Sequence, residues 1–334
     1  MLKKMTDEDY EKFYKEFGTN VKLGVMEDHS NRNRLAKLLR WGSSNDVEKQ
    51  TSLQGYLDRM KDKQDHIYFQ SGTTRAECEK SPFVEKLLKK GYEVLYLVDP
   101  IDEYTIQNLP EFEGKKFQNA AKENLNLQES DKAKETMETL GRDFDTMLNW
   151  LKEKVLSASI EKATLSTRLV ESPVALVATQ YGYSGNMERI MKSQAYAKAG
   201  GDGGANNQKR IMELNPFHPL VQELNKLHKA DPESEHASDL AQSLYDTALL
   251  RSGFSLKDTT SFSARMDKLL RRSFNVDAEA KVNIPAELDE EVAAPVEDVV
   301  ADEAPAAEEA AAPEVPEEPV SEEPAVPEPA KEEL

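Results

Sequence analysis

The segment SPFVEKLLKKGYEVLYLVDPIDEYTIQNLPE, Ser81 to Glu111, decides the fold class. Ser81 with Pro82 is a helix-start pair, a capping hydroxyl followed by a first-turn proline, and Val84, Leu87 and Leu88 recur at helical spacing until Gly91. Tyr92 to Val98 is then a short apolar run rich in β-formers. Asp99-Pro100 opens a second helix that ends before Pro110, because proline excludes a continuing helical turn. Helix, strand and helix at this spacing predict an α/β fold, mixed α+β in detail, with helix-rich layers on small sheets.

The same reading extends in both directions. Thr6 with Asp9 starts a helix carrying Tyr10, Phe13, Tyr14 and Phe17, and Gly18 is expected to stop it. Ser30 to Arg40 and Ser52 to Met60 read as further amphipathic helices. Asn124 to Asp131 is polar and marks a domain boundary. Beyond it Met137, Leu140, Phe144, Leu148, Leu151 and Val155 predict one long helix, followed by strand candidates over 161–169, 174–178 and 210–214. Ser184 to Ala197 reads as a helix, the glycines from Gly200 to Gly204 as a link, and Asn215-Pro216 as the next helix start.

Two last helices flank Gly253. One presents Leu240, Ala241, Leu244 and Ala248; the other, after the cap candidates Asp258 and Thr259, presents Phe262, Met266, Leu269, Leu270 and Phe274. Periodicity leaves two arrangements open: a hairpin packed on its own domain, or a four-helix bundle shared with a second copy.

The 334 residues carry a formal charge of -19, unevenly. From Ala286 to Leu334 there are 18 acidic side chains against one basic, Lys331, so the rest of the chain is nearly neutral. No basic stripe exists to displace counterions from phosphate, which excludes a nucleic-acid binder. The tail has no aromatic residue and 8 of the 16 prolines, and is expected to stay disordered because it cannot offset its ordering entropy. No apolar run approaches the roughly 20 residues of a membrane span. Met1 opens onto lysines and an acidic helix start rather than a secretory leader. Cys78 is the one cysteine, which rules out an intrachain disulfide and a multi-cysteine metal site.

Reaction centres are not evident. The glycines near 200 follow a helix and lack the Lys-Ser/Thr of a phosphate loop. His29, His66, His218, His228 and His236 show no metal-ligand spacing, and Asp28-His29-Ser30 reads as a helix cap rather than a triad. Acidic pairs such as Asp102-Glu103 suit the first turn of a helix. One stretch invites binding: Met187, Ile190, Met191 and Gln194 share a helical face near Tyr181, Tyr183 and Tyr196, and methionine adapts to varied apolar partners. The same spacing also describes a core helix. The terminal Lys331, Glu332, Glu333 and Leu334 are one methylene away from the Lys-Asp-Glu-Leu retrieval signal, which points to the lumen of the endoplasmic reticulum.

NVKLGVMEDHSNRNRLAKLLR (Asn20–Arg40) resembles the ninety-kilodalton heat-shock chaperone family, nearest to its reticulum branch. So do YLDRMKDKQDHIYF (Tyr56–Phe69), the Ser81–Glu111 segment, RLVESPVALVATQYGYSGNMERIM (Arg168–Met191) and ELNPFHP (Glu213–Pro219). The resemblance implies a dimeric, ATP- and magnesium-dependent clamp that helps client proteins mature. It makes residues 1–125 the later part of the middle domain, 126–280 the C-terminal dimerisation domain and 281–334 the acidic tail, and it favours the shared bundle at Leu240 to Phe274. It implies client contact at Glu103, Tyr104 and Gln107 and at Met187 and Met191. The family's nucleotide pocket and catalytic arginine map upstream of Met1, so the chain by itself is expected to have no catalytic residue and no cofactor. The chain ends without the acidic pentapeptide of the cytosolic branch, so no docking of repeat co-chaperones is expected. The tail's carboxylates are expected to bind calcium weakly at most, a solubilising tail being the plainer reading. The alternative role is a structural adaptor that forms mixed dimers with the full-length chaperone and holds no clients.

Overall fold

A computed structural model describes residues 5–125, 127, 130–197, 208–277, 280, 282 and 283. The chain is mixed α/β. Residues Met1–Ala278 form one compact unit; the second, Glu279–Leu334, lies almost wholly outside the described residues, with the acidic tail and its last four residues.

Helix α1 (Asp7–Glu27) starts where its cap predicts, the Thr6 hydroxyl accepting from the Asp9 N–H at 3.3 Å, with three acidic residues in the first turn. It does not stop at Gly18. A Cβ there would lie 3.0 Å from the Tyr14 ring, so the glycine lets that ring lie back along the helix, and Tyr10, Tyr14, Val21 and Val25 form one buried face. The helix expected over Ser30 to Arg40 is only α2 (Arg32–Ala36); the chain then turns into a hairpin, β1 (Arg40–Ser43) and β2 (Asp46–Ser52). Strand β2 is an edge strand with four successive exposed residues, so it lacks the alternation that identifies half-buried strands. Ser52 caps α3 (Leu53–Asp58) as expected.

Strand β3 (His66–Ser71) is followed by α4 (Arg75–Glu79), α5 (Glu85–Lys89), β4 (Leu95–Leu97), α6 (Pro100–Asn108), β5 (Glu111–Phe112) and β6 (Lys115–Asn119). Pro82 to Val84 form a turn, so α5 begins later than the Ser81-Pro82 pair suggests. The sheet order is β2-β1-β4-β3-β6-β5, with β3 parallel to both β4 and β6 and the outer pairs antiparallel.

The second half opens with α7 (Asp131–Trp150), continued by one π turn (Leu151–Val155). Strands β7 (Ile160–Leu165) and β8 (Val174–Val177), helix α8 (Gly185–Ala197) and strand β9 (Arg210–Leu214) follow. The sheet is β7-β9-β8, parallel on one side of β9 and antiparallel on the other. Helix α9 (Pro219–Ala230) is capped by His218, whose Nδ1 accepts from the Leu220 N–H, rather than by Asn215. Helices α10 (Glu235–Arg251) and α11 (Thr259–Ser273) are separated by Gly253, which turns with φ +82°.

Three apolar cores organise the unit. One lies between α1 and the first sheet, around Val25, Leu39, Tyr56, Ile67 and Leu97. Another joins α7, α9 and α10 to the second sheet, around Met147, Leu151, Met212 and Leu224. The third is shared: Tyr68, Phe83, Leu87 and Tyr96 pack with Leu169, Ala175, Val177 and Ile211. Backbone bonds cross the same seam, Ala178 N–H to Ala121 O and Glu123 N–H to Ala178 O. The Glu85 carboxylate also accepts from the N–H groups of Val170, Glu171 and Ser172 at 2.7–3.3 Å.

Candidate functional site

The two segments singled out for partner contact, α6 and α8, meet. Helix α6 is held from below. Lys22 of α1 is buried and places its ammonium 2.6 Å from Asp99 Oδ2 and 2.7 Å from Asp102 Oδ1, and the Trp41 indole N–H donates to Asp102 Oδ1 at 2.8 Å. The Asp99 N–H closes the first turn on Asp102 Oδ2 at 3.1 Å. Burial opposes the charge on Lys22, but the two carboxylates outweigh it and hold its pKa above the ordinary lysine value. Burial likewise pushes the Asp102 carboxyl up, against the pull of Lys22 and Trp41.

With Asp102, Thr105 and Ile106 buried, α6 turns Tyr104 and Gln107 outward: Tyr104 is half-buried and Gln107 exposed. Glu103 is buried and points along the junction. Its Oε1 accepts from the Ser184 hydroxyl at 3.1 Å and from Asn186 Nδ2 at 3.4 Å. Ser184 in turn accepts from the Met187 N–H at 3.3 Å, so a carboxylate and a hydroxyl together cap the positive end of α8. From the next residue of α6, the Tyr104 hydroxyl donates to Gln194 Oε1 at 3.3 Å, about two turns further along α8.

Helix α8 is anchored more deeply than a stripe of adaptable methionines requires. Met187 and Ile190 are buried, and Met191 is half-buried at the rim with exposed Gln194 beside it. Glu188 is buried in a pair with Arg210 at 2.5 Å, while Lys192 reaches it at 2.9 Å. Arg189 bonds Glu77 of α4 at 2.7 Å. A Cβ on Gly185 would stand 2.6 Å from the Gly253 carbonyl, so the start of α8 touches the α10–α11 turn backbone to backbone. Before α8, Tyr181 is 91 % exposed. The side chain of Tyr196 and the glycines from 200 to 204 lie outside the described residues.

The apolar ridge from Leu240 to Phe274 divides in two. Leu244 and Ala248 are buried in the chain's own core, with Leu240 packed against it. Helix α11 has no fully buried residue: Phe262, Met266 and Leu269 are half-buried, and Leu270 and Phe274 are 55 % and 74 % exposed. Its charged face is tied to α10 through Arg265 with Asp246, and through Lys268 with Asp239 at 2.5 Å and Glu235 at 3.2 Å.

Sequence reading named Glu103 but missed its partner Ser184 and the other residues that hold these helices in place. Lys22 carried a usable signal, since it falls on the apolar row of α1 with Gly18, Val21 and Val25. Glu103 with Ser184 and Glu85 with Ser172 join residues more than 80 positions apart and leave no local pattern. Among the described residues no group of three His, Cys, Asp or Glu side chains is placed to hold a metal ion. None of the described helices is long and apolar enough to cross a membrane.

Comparison with known proteins agrees with this architecture. The family described as Hsp90 protein matches residues 1–302. An endoplasmin homolog of Caenorhabditis elegans is 53% identical over 293 residues, covering 87% of this chain and 38% of the relative. An endoplasmin homolog of Arabidopsis thaliana is 42% identical over 282 residues, covering 84% of this chain and 34% of the relative. The chain thus spans little more than a third of the length of these relatives. A profile over most of its residues, and identity this high across both sheets and the helices that join them, make the chain a member of the Hsp90 family.

Proposed function

We propose that this chain supplies client contact and dimerisation to an endoplasmin-like chaperone. The α6–α8 rim, Tyr104, Gln107 and Met191 with Glu103 and Met187 behind it, is the surface that touches partly folded clients. One observation carries this reading: Glu103 and Tyr104 of α6 bond Ser184 and Gln194 of α8, which turns two distant segments into a single polar-edged surface. Met187, buried, positions the helix, and Met191 at the rim makes the contact. Burying one such side chain is worth about 1.5–3 kcal/mol, so after ordering costs the contact is weak and reversible, which suits a holder that must release.

Dimerisation falls to α11. A stripe of Phe262, Met266, Leu269, Leu270 and Phe274, none of which is fully buried among the described residues, fits the same stripe on a second copy, with α10 as its support. The division near residue 125 between middle and dimerisation domains, the reticulum lumen as location and weak calcium binding by the tail belong to the same proposal. The adaptor reading, mixed dimers without clients, draws on the open α11 stripe as well.

Suppression of aggregation of an unfolding test protein separates the two. Client holding predicts suppression by the full chain, reduced by Tyr104→Ala with Met191→Ser while the dimer persists. Absence of suppression from a dimeric chain selects the adaptor reading.

A further inference from the structure

Three buried side-chain atoms that lack a hydrogen-bond partner among the described residues, Gln70 Oε1, Ser71 Oγ and Arg189 Nε, belong to residues lining one cavity. Gln70 and Ser71 end β3 and are 7 % and 6 % exposed; Arg189 comes from α8. The start of α8 at Gly185 and the turn at Ser252-Gly253 close the far side. A lone orphaned polar atom in a protein interior is costly, and three around one space point to something that satisfies them together. The room for a water-sized centre is about 20 Å³, against roughly 10–15 Å³ for one molecule.

We infer that this cavity is the binding site of a single buried water that joins the first sheet to α8. The chemistry selects water over an ion. Gln70 Nε2 already donates to the Ser71 carbonyl at 3.0 Å, which leaves Oε1 as the amide atom without a partner, an acceptor. Arg189 Nε–H is a donor, and its charge is met by Glu77 through Nη2 at 2.7 Å. An anion would meet the Gln70 oxygen and the Glu77 carboxylate; a metal cation would meet a guanidinium N–H. A water accepts from Arg189, donates to Gln70 and exchanges a bond with the Ser71 hydroxyl, the three partners typical of buried water. It gives the junction between the two halves a polar link.

The test combines crystallography of the full chain with thermal unfolding. A structure at about 1.8 Å or better should show one density peak within about 3.2 Å of all three atoms, unchanged by a bromide soak. Ser71→Val should displace the water, strand Gln70 Oε1 and Arg189 Nε, and lower the unfolding midpoint by about 2–6 °C. Should Ser71→Val fail to fold, Ser71→Ala keeps the space and is expected to lower the midpoint less. No peak, anomalous bromide signal at the position, or a midpoint raised or unchanged in either variant would overturn the assignment.

Discussion

The Glu103 carboxylate on α6 lies 3.1 Å from the Ser184 hydroxyl that opens α8, with the two residues 81 positions apart in the chain. Glu103→Ala leaves Ser184 and Asn186 without their acceptor at a buried helix start. The expected loss is about 1–3 kcal/mol, together with faster amide hydrogen exchange at the start of α8. Gln107→Ala, on the exposed face of the same helix, should change neither. Equal exchange in both variants would mean that the capping contact does not hold α8.

Gly185 is required by a close approach rather than by its backbone angle. Gly185→Ala drives a methyl to 2.6 Å from the Gly253 carbonyl carbon and oxygen, both backbone atoms that cannot rotate away. The expected cost is about 1–3 kcal/mol, seen in the urea midpoint. Gly141→Ala, where a Cβ meets nothing within 4 Å, should be neutral or stabilising.

Lys22→Met leaves the Asp102 carboxylate buried with one cation fewer. Destabilisation of about 3–5 kcal/mol is expected, and the double variant Lys22→Met with Asp102→Asn should recover part of it because no uncompensated charge remains. A double variant as unstable as the single one would assign the loss to packing.

His228 packs against Trp150 in a tilted ring contact with centroids 4.8 Å apart and is buried, and burial first, then Lys154 and Lys229, hold its pKa below the ordinary value of 6.5. The folded state therefore disfavours the imidazolium that the unfolded chain forms. Stability is full above about pH 6.5 and falls as pH drops from there towards the folded-state value. Urea midpoints at pH 7.5 and 5.5 should differ more for the native chain than for His228→Phe. An equal difference would remove His228 as the cause.

The α/β class, α6, α7 and the strands β8 and β9 were legible because each carries a local device: Asp99-Pro100 at a helix start, an apolar row of about five turns from Met137 to Val155, short apolar runs. The β1–β2 hairpin was not, since Asp46 to Ser52 is a polar edge strand whose side chains mostly meet water. Gly18 misled because a helix-interior glycine and a terminating one look alike until the Tyr14 ring is in place. The methionine spacing on α8 describes a core face and a docking face equally. Only the packed fold separates buried Met187 from Met191 at the rim.

Pairing of the α11 stripe with its copy is tested most directly by sedimentation of the full chain at micromolar concentration. The expected result is a dimer for the native chain and a folded monomer for Leu270→Asp with Phe274→Asp. A native chain that sediments as a monomer, or a variant that remains dimeric, would contradict it.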